Sequence, residues 1–113
     1  MDDLLKKILL IIESETVEGY MVGVSVEPYK SGRSYKRFGF EGFAVMKTEL
    51  TPLQAKRFKQ SYYDYIHNHK NSIYYKKYNP KNRDDAFNPS IGGVDVNEKR
   101  NDFNFYIVWW YKK

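Results

Sequence analysis

The sequence contains no cysteine, so it can form neither a disulfide framework nor a thiolate metal site, and it has no thiol nucleophile. It also has no run near 20 apolar residues of the kind that spans a membrane. The apolar run at residues 8–12 is too short for the core of a signal peptide, and Asp2 and Asp3 precede it where a basic region would be expected. These absences predict a cytoplasmic protein with no membrane partner.

The motifs of common catalytic and cofactor-binding folds are missing as well. There is no glycine-rich dinucleotide or phosphate loop, no nucleophile elbow and no zinc spacing. His67 and His69 are two residues apart and would diverge by about 200° on a helix, so they cannot chelate one ion. Asp84 and Asp85 could hold Mg²⁺, but an acidic pair beside basic residues is more typical of a solvated ion-pair cluster. The sequence therefore predicts no metal, no cofactor and no catalytic residue.

Aromatic and basic residues are abundant. Aromatics make up 18% of the chain, including 11 Tyr, and the net charge is +5. The charge is uneven, since residues 29–83 hold 13 basic residues against 3 acidic ones. Such a basic middle segment favours an anionic partner, either nucleic acid or a protein with an acidic surface.

The densest apolar stretch is FNFYIVWWY at residues 103–111. Alternate side chains of a strand fall on opposite faces. One face would carry Phe103, Phe105, Ile107, Trp109 and Tyr111, and the other would carry Asn104, Tyr106, Val108 and Trp110. Because both faces are apolar, this strand is either central in a sheet covered on both sides or has one face reserved for a partner.

Two helices are predicted. The first covers residues 3–13, where apolar residues recur at helical spacing after Asp2. The second begins after Thr51, a good N-cap, with Pro52 in the first helical position. One face of this second helix holds Ala55, Phe58, Tyr62, Tyr65, Ile66 and His69. We expect the neighbouring stripe to face solvent, with His67 exposed and His69 partly buried; the stripe is formed by Lys56, Lys59, Tyr63, His67 and Lys70.

Period-two alternation predicts the strands. Along a first strand that ends at Pro28, one face carries Tyr20, Val22, Val24 and Val26. Residues 30–34 read as a loop around Gly32. Residues 35–48 continue the alternation with a change of parity at Glu41-Gly42. This change indicates a β-bulge in one long bent strand or a two-residue hairpin turn; the bulge is favoured because Glu-Gly is a weak former of primed turns.

The remaining segment is less regular. Residues 71–93 read as a long loop, with an optional short strand at residues 73–78, followed by a short strand at residues 94–96 and a polar turn at residues 97–101. Together these patterns predict a single α+β domain over residues 1–113, in the order α-β-β(β)-α-loop-β-β. It would have two helices and an antiparallel sheet of four to five strands, strongly curved if the bulge forms.

The leading functional hypothesis is a small non-enzymatic protein-binding module that acts as an inhibitor. Its partner-binding residues would be Tyr106, Val108 and Trp110, because an exposed aromatic sheet face is typical of a protein interface. In size and in its Lys-, Asn- and Tyr-rich composition the chain resembles small single-domain inhibitors from mobile elements, such as immunity proteins and phage anti-defence proteins. That resemblance implies no residue assignments.

Two alternatives remain open. Basic residues interleaved with aromatics are typical of single-stranded nucleic-acid binders, and the candidate contacts are Lys56, Lys59, Tyr63, Lys70, Lys76 and Lys77. The third hypothesis is a metal-free ribonuclease. In it His67 would act as general base, Lys56, Arg57 or Lys59 would steady a phosphate, and Tyr63 would act as acid or stacking group.

Overall fold

A computed structural model describes residues 2–37, 39–80, 91 and 94–113, apart from the side chains of Tyr35 and Arg37. The chain is α+β, as predicted. In order, its elements are α1 (Asp2–Ile12), β1 (Val17–Ser25), α2 (Pro28–Arg37), β2 (Gly42–Leu50), α3 (Pro52–His67), α4 (Ile73–Lys76) and β3 (Phe103–Tyr111). The described residues therefore form three strands and four helices, instead of the predicted four to five strands and two helices.

The last strand of the chain is the centre of the sheet. The strand order is β1-β3-β2, and both neighbours run antiparallel to β3. Ile107 lies opposite Val22 on one side and Ala44 on the other. Phe105, Ile107 and Val108 are completely buried. Of the two arrangements left open by the sequence, the structure has the central strand with both faces covered.

The first face of the sheet carries the main core. α1 contributes Leu4, Ile8 and Ile12, and α3 contributes Tyr62 and Ile66, against the core-facing residues of β1 and β3. Each helix buries one apolar stripe, which is why the helical periodicity located both of them. The start of α3 is fixed by a capping box in which Gln54 N–H donates to Thr51 Oγ1 over 3.2 Å and Thr51 N–H donates to Gln54 Oε1 over 2.9 Å.

The second face is covered by α2, which the sequence did not predict. Residues 30–34, expected to be a loop, lie inside this helix, and Pro28 occupies its first turn instead of only ending a strand. Gly32 is buried, and a Cβ on it would lie 3.0 Å from the ring of Phe43. The small residue lets the helix approach the sheet closely.

The parity change at Glu41-Gly42 is neither a bulge nor a hairpin turn. α2 ends at Arg37 and β2 begins at Gly42, so the two halves of the apparent pattern belong to different elements. Phe38, which helped to define the first parity, lies outside the described residues. The irregularities of β2 occur further on, between Val45 and Lys47 and again before Leu50.

The segment after α3 also differs from the prediction. Ile73–Lys76 is a short helix, and Tyr78 then forms an isolated parallel bridge with Tyr20 at the edge of β1. In this bridge Tyr20 N–H donates to Lys77 O and Asn79 N–H donates to Tyr20 O, each over 3.0 Å. Residues 94–96 do not form a strand. Residues 81–90, with Asp84 and Asp85, lie outside the described part of the chain.

Three aromatic side chains of β3 lie on glycines of the neighbouring strands. Gly42 is paired with Trp109, Gly19 with Trp110 and Gly23 with Tyr106. A Cβ added at Gly42 would lie 1.8 Å from Cε2 of Trp109. The rings therefore occupy the space in which a neighbouring side chain would otherwise stand.

Replacing Gly42 with Ala is expected to lower the free energy of unfolding by about 1–3 kcal/mol, because the indole of Trp109 must leave its position. Urea denaturation of the two proteins measures this difference. In a Trp109→Ala background the same substitution should cost much less, since the clash is gone. An equal cost in both backgrounds would show that the ring contact is not the cause.

Candidate functional site

Four aromatic side chains gather around Glu41 on the α2 side of the sheet. The Tyr29 and Phe43 rings have centroids 6.2 Å apart, and the Phe40 and Trp110 rings have centroids 4.9 Å apart. Tyr29 is 71% exposed, and the other three are half-buried. We call these five residues, including Glu41, the docking face.

Two shallow hollows adjoin at this face. One is about 440 Å³ and includes Glu18, Phe40, Glu41, Trp110, Tyr111 and Lys113 in its lining. The other is about 420 Å³ and is lined by Tyr29, Gly32, Arg33, Lys36, Glu41 and Phe43. Glu41 lines both hollows, which therefore lie next to each other at this residue.

The residue between the hollows is firmly held. Glu41 Oε2 accepts a hydrogen bond from the backbone N–H of Tyr111 over 3.0 Å. The backbone N–H of Glu41 also donates to Trp109 O over 3.1 Å. These two bonds fasten the α2–β2 connection to the end of β3, so the surrounding aromatic rings stand on a well-supported backbone.

The sheet-face residues predicted to bind a partner separate into two groups. Tyr106 is 6% exposed and Val108 is fully buried, because α2 and Phe43 cover this face of the sheet. Trp110 is half-exposed and belongs to the docking face. Sequence reasoning missed Tyr29, Phe40 and Phe43 as its neighbours because α2 was read as a loop.

The six residues proposed to bind nucleic acid also differ in their exposure to solvent. Lys59 is 9% exposed and Tyr63 is 4% exposed, so the predicted solvent stripe of α3 is wrong at these two positions. Burial lowers the pKa of Lys59. Lys77 donates its ammonium to Ile12 O over 2.6 Å and to Ser14 O over 2.9 Å, and desolvation lowers its pKa too. Exposed members of the set are Lys56, Lys70 and Lys76.

The two histidines do not act together. His67 and His69 are both exposed, so the expectation that His69 is partly buried is wrong. Their Nδ1 atoms lie 2.9 Å from Tyr63 O and 2.7 Å from Tyr65 O respectively. In the part of the chain that the structure describes, no three His, Asp or Glu residues are grouped to hold a metal ion. Tyr63, the acid of the ribonuclease hypothesis, is buried, and its hydroxyl accepts from Tyr78 over 3.3 Å.

A cluster of buried tyrosines joins β1, α3 and the bridging segment. Tyr20 donates its hydroxyl proton to Tyr74 O over 2.6 Å, which leaves its oxygen to accept from the Tyr62 hydroxyl. Burial raises the pKa of Tyr20, Tyr62 and Tyr78. These hydroxyls stay protonated and hydrogen-bonded, which suits a structural network rather than a proton-transfer site.

Comparison with protein-family models, with curated proteins and with solved structures found no significant match to this chain. Among the described helices, none has the length and apolar character needed to cross a membrane.

Proposed function

We propose that this chain is a small non-enzymatic protein-binding module that acts as an inhibitor, in the manner of an immunity or anti-defence protein. The observation that supports this proposal is the docking face, where Tyr29, Phe40, Phe43 and Trp110 surround Glu41 beside two adjoining hollows. Aromatic anchors with a polar residue among them are the usual centre of a protein interface.

The physical state of the four rings favours recognition of a protein surface. Phe40, Phe43 and Trp110 are half-buried, so each already has a fixed position in the free protein and loses little conformational freedom on binding. Tyr29 is mostly exposed and can bury a large area, with its hydroxyl available for a hydrogen bond. A rigid centre with one adaptable aromatic at its rim is suited to tight binding.

The rest of the described chain is better explained by stability than by catalysis. The buried tyrosine hydroxyls, Tyr63 among them, are hydrogen-bonded to other tyrosines or to backbone atoms. The imidazoles of His67, at the end of α3, and of His69, just beyond it, each contact a backbone oxygen of α3. An inhibitor requires none of these groups to react; it requires a stable scaffold beneath a recognition surface.

Affinity capture with the tagged chain as bait tests the proposal. The extract comes from the cells that encode the chain, and the recovered complex is sized by light scattering after gel filtration. We expect a stoichiometric protein complex that Trp110→Ala weakens by about 2 kcal/mol, or roughly 30-fold, as at an interface anchor. Tyr29→Ala is the second variant, since its side chain is mostly exposed and its removal leaves the fold intact.

Leu10→Ala provides the control. Leu10 is 73% exposed on α1, on the other side of the sheet from α2, so its removal should leave the complex unchanged. Circular dichroism must show the same fold in all three variants. Failure to recover a stoichiometric protein partner, or an affinity indifferent to both aromatic substitutions, would count against a protein-binding function.

A further inference from the structure

The outer face of α2 is strongly basic. Within Pro28–Arg37 the sequence has four cationic residues and no acidic one. Among the described residues of this helix, Pro28 and Gly32 are the buried ones. Lys30, Arg33 and Lys36 are exposed. The helix therefore uses almost none of its charged residues for folding.

The cations beside the second hollow are available to a partner. Lys30 lies 3.6 Å from Glu27, but both side chains are well exposed, so this ion pair contributes little. Arg33 and Lys36 form no ion pair with any residue in the described ranges. Both line the hollow of about 420 Å³ next to Tyr29 and Phe43.

The hollow combines these charges with an apolar wall. Arg33 and Lys36 stand on the helix side, and the Phe43 ring, tilted against Tyr29 at 59°, forms the opposite wall. Arg33 offers a planar fork of donors that matches a carboxylate, and Lys36 offers a mobile point charge. A ligand that fits this site has carboxylates next to an apolar side chain.

We propose that this face of α2 binds an acidic segment of a protein partner. Carboxylates of that segment bind Arg33 and Lys36, and an adjacent aromatic or aliphatic side chain enters the hollow against Phe43. This inference rests on the proposed protein-binding function and adds the chemistry of the partner. Glu41 also lines the hollow, and its carboxylate can accept an N–H from the backbone of such a segment.

A synthetic peptide of Asp and Glu residues with one central Phe is the probe. Its binding to the full chain is measured by fluorescence anisotropy, and a peptide with Asn and Gln in place of the acids is the comparison. We expect the acidic peptide alone to bind, with an affinity that falls as salt is added. The double variant Arg33→Glu/Lys36→Glu should weaken binding about tenfold or more.

Lys56→Glu/Arg57→Glu is the charge-matched control, because it makes the same change in net charge at exposed positions of α3. Equal weakening by both double variants would mean that only the overall charge matters and would overturn the proposal. Absence of acidic-peptide binding would do the same. Tight binding of short single-stranded DNA or RNA, lost with Arg33→Glu/Lys36→Glu and steeply dependent on salt, would instead assign the surface to nucleic acid.

Different results would contradict the protein-binding function and the acidic-segment site on α2. A captured protein partner that depends on Trp110 but ignores the Arg33→Glu/Lys36→Glu variant would leave the protein-binding function standing and remove the acidic-segment site. Peptide binding that depends on Arg33 and Lys36, without any protein partner recovered by affinity capture, would support the site and count against the inhibitor function.

Discussion

Replacing Phe105 with Ala is expected to lower the free energy of unfolding by about 3–5 kcal/mol, since a large buried ring is removed from the middle of the core. Phe105 is completely buried in the central strand, and its ring centroid lies 6.1 Å from that of Phe58 and 6.4 Å from that of Tyr62. Domains of this size are stable by only about 5–15 kcal/mol in total, so the substitution should remove a large share of the stability and lower the urea midpoint markedly.

Urea denaturation followed by tryptophan fluorescence measures this effect. Tyr111→Ala is the matched control, because it removes an aromatic ring from the same strand at a position that is 41% exposed. Its cost should be small. A loss for Phe105→Ala no larger than that for Tyr111→Ala would contradict a core organised around β3.

Alkaline pH is expected to unfold the protein cooperatively. The pKa of Tyr20, Tyr62 and Tyr78 is raised by burial in the folded state, whereas in the unfolded chain tyrosine titrates near its ordinary value of about 10. Above that value the unfolded state binds fewer protons than the folded state, so stability falls as pH rises. Three such groups give a slope of about 4 kcal/mol per pH unit once the unfolded tyrosines are ionised.

Lys59 changes the stability in the opposite direction, and it does so over a lower range of pH. Because burial lowers its pKa in the folded state, stability rises with pH from that lowered value up to the ordinary lysine pKa, and by at most about 1.4 kcal/mol per unit. The tyrosine contribution to stability is fully present below about pH 10 and is lost progressively above it, with a steeper slope than that of Lys59. With a total stability of about 5–15 kcal/mol and a slope of about 4 kcal/mol per pH unit, we expect the protein to unfold only above about pH 11.

Tyrosinate absorbance and circular dichroism, recorded together against pH, test this expectation. The buried tyrosines should ionise in the same transition in which the secondary structure is lost. Tyr78→Phe should reduce the slope by about one third, while Tyr29→Phe, which removes an exposed hydroxyl, should leave the slope unchanged. Ionisation of all tyrosines near their ordinary pKa without unfolding would contradict the buried network.

The sequence alone was sufficient to locate the elements that bury an apolar stripe. The alternation of Tyr20, Val22 and Val24 located β1, because it reflects one buried face of the strand. Thr51 followed by Pro52 located the start of α3, because this pair reflects the hydrogen bond that caps the helix. The doubly apolar β3 left two arrangements open, a central strand or a face reserved for a partner. These elements depend on local chemistry that a single sequence displays.

α2 could not be found in this way. Among the described residues of α2, the buried ones are Pro28 and Gly32, which produce no apolar periodicity, and Pro28 after a strand is more commonly read as a stop. The failure to predict α2 also affected the prediction of the candidate site. Because α2 was not predicted, the face of β3 that carries Tyr106, Val108 and Trp110 was expected to be uncovered and to form an interface. In the structure α2 covers this face, and of these three side chains only Trp110 reaches the surface. The helix is specified by its fit to the sheet, which is a tertiary property.

The strand order has a consequence for how the chain acquires its structure during synthesis. β1 and β2 pair with β3 and lie on opposite sides of it, so neither can form a ladder until residues 103–111 have left the ribosome. Until then the nascent chain can form only helices and loose apolar contacts. The strand pairs join residues that are far apart in the sequence, so the sheet must form in one late step. Nascent chains that do not yet expose residues 103–111 should therefore be sensitive to protease, and resistance should appear once β3 is free to pair.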